Sequence, residues 1–258
     1  MPDDSRNIGL ARMLSKLGCC SRSQATELIR AGRVTLNRAI RRDPETPVRS
    51  GRDQIAVDGH IVRPAKYVYL VMNKPRGLVT TTSDEKGRET IYSILKDGGE
   101  ALPWVAPVGR LDKASEGLLL LTNDSEWASR VSVPESHLPK TYHVQIDAIA
   151  GEGLLRSMER GVESKDGDFL RAMRCRLLRT GEKNSWIEII LEEGKNRQIR
   201  RMLAALDCEV LRLVRVAIGS LELGDLAKGR WRSLAAHEKN ALDQLLDRDR
   251  ARRQGNSD

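Results

Sequence analysis

One segment near the middle of the chain constrains the fold more than any other. A polar, glycine-containing stretch over residues 109–117 runs directly into four consecutive leucines, residues 118–121. Such an apolar run fits a strand that is buried on both faces of a sheet. The stretch before it carries one carboxylate, Asp112, and a rigid strand after a loop can hold a reactive side chain in place. On residue pattern alone, a structural role for Asp112 as the cap of a turn is the favoured interpretation.

Basic charge is concentrated at the N-terminus of the 258-residue chain. Residues 1–66 hold 13 Lys/Arg and 7 Asp/Glu, whereas the other 192 residues hold 31 and 29. Phosphate neutralisation drives nucleic-acid affinity, so a basic module favours a polyanionic partner. A merely solvated basic face is compatible with the same numbers.

Local patterns predict an α+β protein. Leu10, Met13 and Leu14 have helical spacing, and Ser21 with Gln24 forms a capping-box pattern that starts a second helix. The apolar residues 55–57 and 61–62 around a central Asp-Gly predict a hairpin. After residue 66, strands are predicted but do not alternate regularly with helices, which favours a mixed or antiparallel sheet. The predicted strands cover residues 68–72, 118–122, 141–147, 186–191 and 210–218.

Near the C-terminus, Ile199 and Met202 mark a further helix, for which Asn196 is the predicted N-cap. From residue 244 to residue 258 the chain is highly charged, and we expect a disordered tail.

Several classes of function are disfavoured by what the sequence lacks. It contains no CxxC pair and no histidine at zinc-ligand spacing, so we expect no metal and free thiols in a reducing compartment. No apolar run approaches the ~20 residues of a membrane span. We therefore expect a cytoplasmic protein without a membrane partner, and a monomer by default.

The N-terminal region resembles the S4 RNA-binding domain. The resemblance lies in Leu17-Gly18-Cys19-Cys20-Ser21-Arg22 and in Ala31-Gly32-Arg33-Val34. It implies an RNA-binding domain over residues 1–65, followed by a catalytic domain over residues 66–243. A DNA-binding helix-turn-helix is the competing assignment for the two short helices. The basic residues that the S4 resemblance assigns to RNA are Arg12, Lys16, Arg22, Arg33 and Arg38.

The rest of the chain resembles the RsuA-type ribosomal RNA pseudouridine synthases. Gly109-Arg110-Leu111-Asp112, followed by Gly117-Leu118-Leu119-Leu120-Leu121-Thr122-Asn123, is similar to their catalytic motif. Three other stretches match in the family's order. They are Asn73-Lys74-Pro75-Arg76-Gly77 with Thr80-Thr81-Thr82, then Lys140-Thr141-Tyr142, and finally Glu193-Gly194-Lys195-Asn196-Arg197-Gln198-Ile199-Arg200-Arg201-Met202.

This resemblance implies that a uridine in folded ribosomal RNA, or in a ribosomal assembly intermediate, is isomerised without a cofactor. Asp112 would start the reaction, either as a nucleophile towards the ribose or as a base, and Tyr142 would pack against the flipped base. Large-subunit 23S RNA is favoured as the substrate because more branches of the family act on it, with small-subunit 16S RNA as the second possibility. Arg110 is expected to contact phosphate or fill the vacated stack, and Arg200 to pair with the catalytic carboxylate. Weaker phosphate contacts are assigned to Lys74, Lys140, Arg197 and Arg201.

A noncatalytic S4-type factor for ribosomal RNA binding or assembly is the alternative function, because the N-terminal charge supports it equally well. Against it, a pure binder has no need of an acidic group such as Asp112 at the RNA surface, where it would repel phosphate. A DNA-binding regulator built on the first two helices would leave about three quarters of the chain unexplained.

Overall fold

The computed structural model describes residues 8–81, 87–96, 102–133 and 136–254. Thr82 of the first motif, residues 1–7 and the last four residues of the predicted tail lie outside these ranges. The N-terminal elements come first in the chain. They are β1 (Ile8–Gly9), α1 (Leu10–Lys16), α2 (Arg22–Arg30), β2 (Val34–Leu36), β3 (Ala39–Arg41), β4 (Pro47–Val48), β5 (Ile55–Val57) and β6 (His60–Ile61).

Two helices packed on a small antiparallel sheet, in the order β3-β2-β5-β6, form the S4-like unit. The predicted capping box of α2 is present: the Ser21 hydroxyl accepts from the Gln24 N–H at 3.2 Å, and the Gln24 side chain accepts from the Ser21 N–H at 3.0 Å. Asp58 and Gly59 join β5 to β6 with φ of 48° and 82°. Both lie in the left-handed region that a tight two-residue hairpin requires.

A larger mixed sheet carries the rest of the chain. Nine of the described strands form it in the order β13-β14-β10-β15-β9-β7-β17, with β8 paired to β9 and β16 to β15. The β9–β15 pair is parallel and the others are antiparallel, which confirms the α+β prediction. The elements are β7 (Tyr69–Lys74), α3 (Tyr92–Lys96), β8 (Ala106–Val108), β9 (Glu116–Thr122), α4 (Ser125–Ser132), β10 (Lys140–Ile146), α5 (Glu152–Arg160), β11 (Val162–Glu163), β12 (Phe169–Leu170), β13 (Arg174–Thr180), β14 (Ser185–Leu191), α6 (Gln198–Ala204), β15 (Val210–Ile218), β16 (Leu221–Glu222), β17 (Trp231–Ser233) and α7 (Ala236–Gln254).

Strand β9 is buried on both faces of this sheet, as its run of leucines predicts. Leu119 and Leu121 belong to one apolar cluster with α3, whereas Leu118 and Leu120 pack on the other face against α4 and α7. All four leucines are fully buried. The strand is therefore a fixed support for the loop that precedes it.

The predicted disordered tail is wrong for most of its length, because helix α7 continues through it as far as Gln254. Leu242 and Leu246 bury their side chains against the sheet and α4. Trp127 donates to Asp243 at 2.8 Å, and Arg130 pairs with Asp247 at 2.6 Å. Within the described chain, no helix is both long and apolar enough to span a bilayer.

The two units contact each other through backbone and side-chain hydrogen bonds around the linker between them, residues 64–66. The Ala65 N–H donates to the Leu17 carbonyl at 3.1 Å, and the Trp104 N–H donates to the Gly18 carbonyl at 3.2 Å. Asn123, at the end of β9, accepts from the Val68 N–H at 2.7 Å. The segment that resembles the family's catalytic motif thus also fixes the linker.

Candidate active site

A buried lysine holds the loop that carries Asp112. Lys74 is completely buried, and its Nζ donates to the carbonyls of Pro75 at 3.1 Å, Asp112 at 3.2 Å and Ser115 at 2.9 Å. Burial lowers the pKa of Lys74 to about 8, against the attraction of nearby carboxylates including Asp112. The predicted phosphate contact of Lys74 is wrong, because a side chain sequestered in this way cannot reach RNA.

Two further contacts fix the same loop from the first motif. The Thr80 hydroxyl donates to the Leu111 carbonyl at 2.8 Å, and the Gly77 N–H donates to the Lys113 carbonyl at 2.8 Å. The first motif therefore supports the loop of Asp112 instead of forming a separate site.

Asp112 faces a cavity of about 370 Å³, within the size range of ligand pockets. Four residues predicted to act with Asp112 line this cavity, namely Arg110, Lys140, Tyr142 and Arg200. Asp112 carries the only carboxyl group among the described lining residues. The arrangement places a single acid in a pocket surrounded by cations.

The wall opposite the loop comes from β10 and β15. Tyr142 is half-buried on β10, with Ile189 of β14 on one side and Arg215 of β15 on the other. Lys140, two residues before Tyr142, is also half-buried, and burial followed by the charge of Arg215 lowers its pKa. Sequence reasoning missed Arg215, which is one of two arginines among the apolar residues of β15 and is the buried one of the pair.

Arg200 lines the cavity but does not form the predicted ion pair with Asp112 in the described structure. Its guanidinium donates to the carbonyls of Val210 and Ala114, both at 3.3 Å, and its buried Nε has no hydrogen-bond partner. Burial and the charge of Arg197 lower the pKa of Arg200, whereas the Asp112 carboxylate acts in the opposite direction. Arg200 thus acts on Asp112 through its positive charge and supports the loop through Ala114, without contacting the Asp112 carboxylate directly.

Arg201 is directed away from the cavity. It donates to Asp168 at 2.6 Å and pairs with Asp166 at 3.1 Å, both on the turn between β11 and β12. Because two carboxylates already hold this guanidinium, the structure argues against its predicted phosphate contact.

The two carboxylates nearest to Asp112 in sequence both have structural partners. Glu116 is buried, and although burial raises its pKa, hydrogen bonds from Lys228 and Arg212 hold that pKa below its ordinary value. Asp124 caps α4 by accepting from the Trp127 N–H at 3.0 Å. Neither residue is placed to act as a second catalytic acid.

The predicted RNA-binding residues of the S4-like unit separate into two groups. Arg12, Lys16 and Arg22 line one groove between the two N-terminal helices and the larger sheet unit, where Lys16 pairs with Glu126 at 3.1 Å. Arg33 is held by Asp58 through its Nε at 2.9 Å. Arg38 lies exposed in the turn between β2 and β3, away from this groove.

Comparison with known proteins identifies the family. Residues 68–205 match the family model for RNA pseudouridylate synthase, and residues 8–55 match the model for the S4 domain. The chain belongs to the RNA pseudouridylate synthase family. It is therefore an RNA pseudouridine synthase, an isomerase, with an N-terminal S4 domain, as the RsuA-type resemblance predicted.

Curated relatives of the synthase align along nearly its whole length. It is 38% identical over 228 residues to an uncharacterized RNA pseudouridine synthase of Aquifex aeolicus, covering 88% of this chain and 90% of that one. It is 36% identical over 240 residues to the ribosomal large subunit pseudouridine synthase B of Bacillus subtilis, covering 92% and 96%. A crystal structure of a pseudouridylate synthase superimposes with a TM-score of 0.61 at 28% identity, covering 91% and 99%.

Proposed function

We propose that this synthase isomerises a specific uridine in ribosomal RNA, with Asp112 as its catalytic group. The observation that carries the proposal is the isolation of the Asp112 carboxyl group in a cavity otherwise lined by cationic, polar and apolar side chains. The name of the Bacillus subtilis relative, a ribosomal large subunit enzyme, favours 23S over 16S RNA as the substrate.

The chemistry requires one bond to break and another to form. The N1–C1′ bond of the uridine breaks, the base turns within the cavity, and C5 bonds to C1′. The proton lost from C5 is balanced by the proton gained at N1, so no atoms enter or leave. Asp112 acts either by bonding to C1′ or by removing the C2′ proton. An ordinary retaining glycosidase needs a second carboxylate, which the described cavity does not supply.

Tyr142 is the residue best placed to receive the base. A base in folded RNA has to leave its stack before its sugar bond is accessible, at a cost of a few kcal/mol. Stacking on an aromatic ring contributes about 1–3 kcal/mol per base and offsets part of that cost. The half-buried Tyr142 ring lines the same cavity as Asp112, which supports this role.

The other basic residues are assigned to binding the phosphates of the RNA backbone. Arg110 is exposed beside Asp112 at the cavity, where it is accessible to a phosphate or to the gap that the flipped base leaves. Arg12, Lys16 and Arg22 provide a second phosphate-binding surface in the S4 domain. We assign affinity to this groove and chemistry to the cavity.

The test uses ribosomal RNA from cells that lack the protein, complemented with wild type, Asp112→Asn or Lys113→Met. Pseudouridines in both ribosomal RNAs are mapped by carbodiimide labelling and primer extension. We expect one site to disappear in the deletion strain, to return with wild type and with the exposed-lysine control, and to stay absent with Asp112→Asn. Thermal melting of the purified variants checks that each is folded.

Restoration of the site by Asp112→Asn would exclude Asp112 as the catalytic group. If neither ribosomal RNA changes in the deletion strain, the ribosomal substrate is wrong, and mapping total RNA from the same strain locates the true one.

A further inference from the structure

Arg215 is a buried cation whose hydrogen-bonding capacity is only partly used. It lies in the middle of β15 with 5% of its surface exposed. Its Nε donates to the Leu118 carbonyl at 2.8 Å, but its buried Nη2 has no hydrogen-bond partner. Arg215 also lines the cavity that contains Asp112.

An unpaired charge buried at this depth is energetically unfavourable. Burying a charged group without a compensating partner costs several kcal/mol, and native proteins pair such groups almost without exception. Arg215 forms no ion pair in the described structure, and the nearby Glu116 is held by Arg212 and Lys228. The missing partner of Arg215 is therefore expected to arrive with the substrate.

The register of the sheet places this guanidinium beside the proposed base. Arg215 lies directly opposite Tyr142 in the β10–β15 pair, so the two side chains share one face of the sheet. Lys140, two residues before Tyr142, is on that face as well. A uracil ring stacked on Tyr142 therefore presents an edge to Arg215 and Lys140.

We propose that Arg215, supported by Lys140, binds the carbonyl edge of the uracil ring and stabilises the negative charge that develops when the glycosidic bond breaks. This role rests on the proposed stacking of the base on Tyr142. When N1 leaves C1′ it takes the bonding electron pair, and the base becomes an anion delocalised over the ring and its two oxygens.

Both routes open to Asp112 produce that anion. In the first, the carboxylate bonds to C1′ as N1 departs. In the second, Asp112 takes the C2′ proton and a C1′–C2′ double bond forms as N1 departs. In either case a fixed donor aimed at the developing charge lowers the barrier, and removing one such donor typically costs about 100–1000-fold in rate.

The test compares leaving groups of different acidity. The target uridine is first located by mapping RNA from the deletion strain, and a transcript around it is made with uridine or with 5-fluorouridine at that position. Fluorine withdraws electrons, so the departing 5-fluorouracil anion needs less help from the protein. Single-turnover rates are measured for wild type, Arg215→Met, Arg215→Lys and Arg212→Gln as loss of the starting nucleoside after nuclease digestion and chromatography. Loss of substrate is the readout because C5 of 5-fluorouridine has no proton to release, so its product differs from pseudouridine.

We expect Arg215→Met to lower the single-turnover rate on uridine by about 100-fold relative to wild type. On 5-fluorouridine the factor by which the rate falls should be at least about threefold smaller. Arg215→Lys, which keeps a positive charge, should lower the rate on uridine less than Arg215→Met does. Arg212→Gln is the matched control from the same strand: it does not line the cavity, and Lys228 still holds Glu116. This control should match wild type on both substrates.

An equal loss on both substrates would overturn the proposal, because a structural arginine does not sense the acidity of the leaving group. A partly unfolded variant does not obscure the result, since a smaller folded fraction lowers both rates equally and cancels in their ratio. A target mapped outside ribosomal RNA would refute the proposed substrate while leaving this comparison of rates intact.

Discussion

Replacing Lys74 by methionine tests whether a buried ammonium group positions Asp112. Methionine keeps most of the side chain's length but removes all three donors. The carbonyls of Pro75, Asp112 and Ser115 then lose the group that joins them. These bonds hold both ends of the short turn that carries the Asp112 carboxylate, so the turn should relax.

The expected loss of stability follows from two opposing contributions. Hydrogen bonds to a charged group contribute about 1.5–3 kcal/mol each, and Lys74 makes three. Against this, a pKa of about 8 in place of 10.5 means that keeping the ammonium charged costs about 3 kcal/mol. We expect Lys74→Met to lower the free energy of unfolding by about 2–4 kcal/mol in urea titrations.

Activity should fall more than binding. A misplacement of about 1 Å at a reacting group costs about 100-fold in rate, so we expect the single-turnover rate at saturating RNA to fall by about that factor. The dissociation constant for RNA should stay near the wild-type value, because buried Lys74 does not contact RNA. Lys113→Met is the matched control: Lys113 is an exposed lysine on the same loop, and this variant should keep both rate and stability.

The pH dependence of the free energy of unfolding provides a second comparison between wild type and Lys74→Met. Lys74 in the fold releases its proton near pH 8, whereas an unfolded lysine keeps it until about pH 10.4. Between these values the unfolded state binds more protons, so the stability of wild type relative to Lys74→Met should rise with pH. Weaker RNA binding at an unchanged rate, or a stability difference that falls across this window, would refute the positioning role.

Two further predictions concern the close approach of strands and the S4 groove. Gly117→Ala should destabilise the protein by at least about 2 kcal/mol more than Gly109→Ala in thermal melts. Both glycines have positive φ, but only at Gly117 would a Cβ lie close to other atoms, 2.2 Å from the Arg215 carbonyl oxygen. The double substitution Arg12→Gln, Arg22→Gln should weaken RNA binding and reduce the slope of log K against log salt by about 1.5, and an unchanged slope would exclude the groove as a phosphate site.

Local patterns in the sequence predicted the elements that depend on near neighbours. The capping box at Ser21 and the hairpin at Asp58 are set by residues within a few positions of each other. The run of leucines in β9 predicted a strand buried on both faces, since no polar residue interrupts it. The prediction of Asn196 as the N-cap of α6 was wrong: Arg197, with φ of 48°, occupies the N-cap position, and α6 begins at Gln198.

The sequence by itself determined the family and the presence of an S4 domain, and it was enough to select Asp112 as the candidate catalytic group, because motif order and spacing are linear properties. Only the tertiary structure decided which cations face the cavity. Lys74 and Arg201 match motifs as well as Lys140 does, yet one is sealed beneath the loop and the other is held by acids of a distant hairpin. Arg215 joins Tyr142 because β15 pairs with β10 across about 70 residues of chain, and no local pattern records such a pairing.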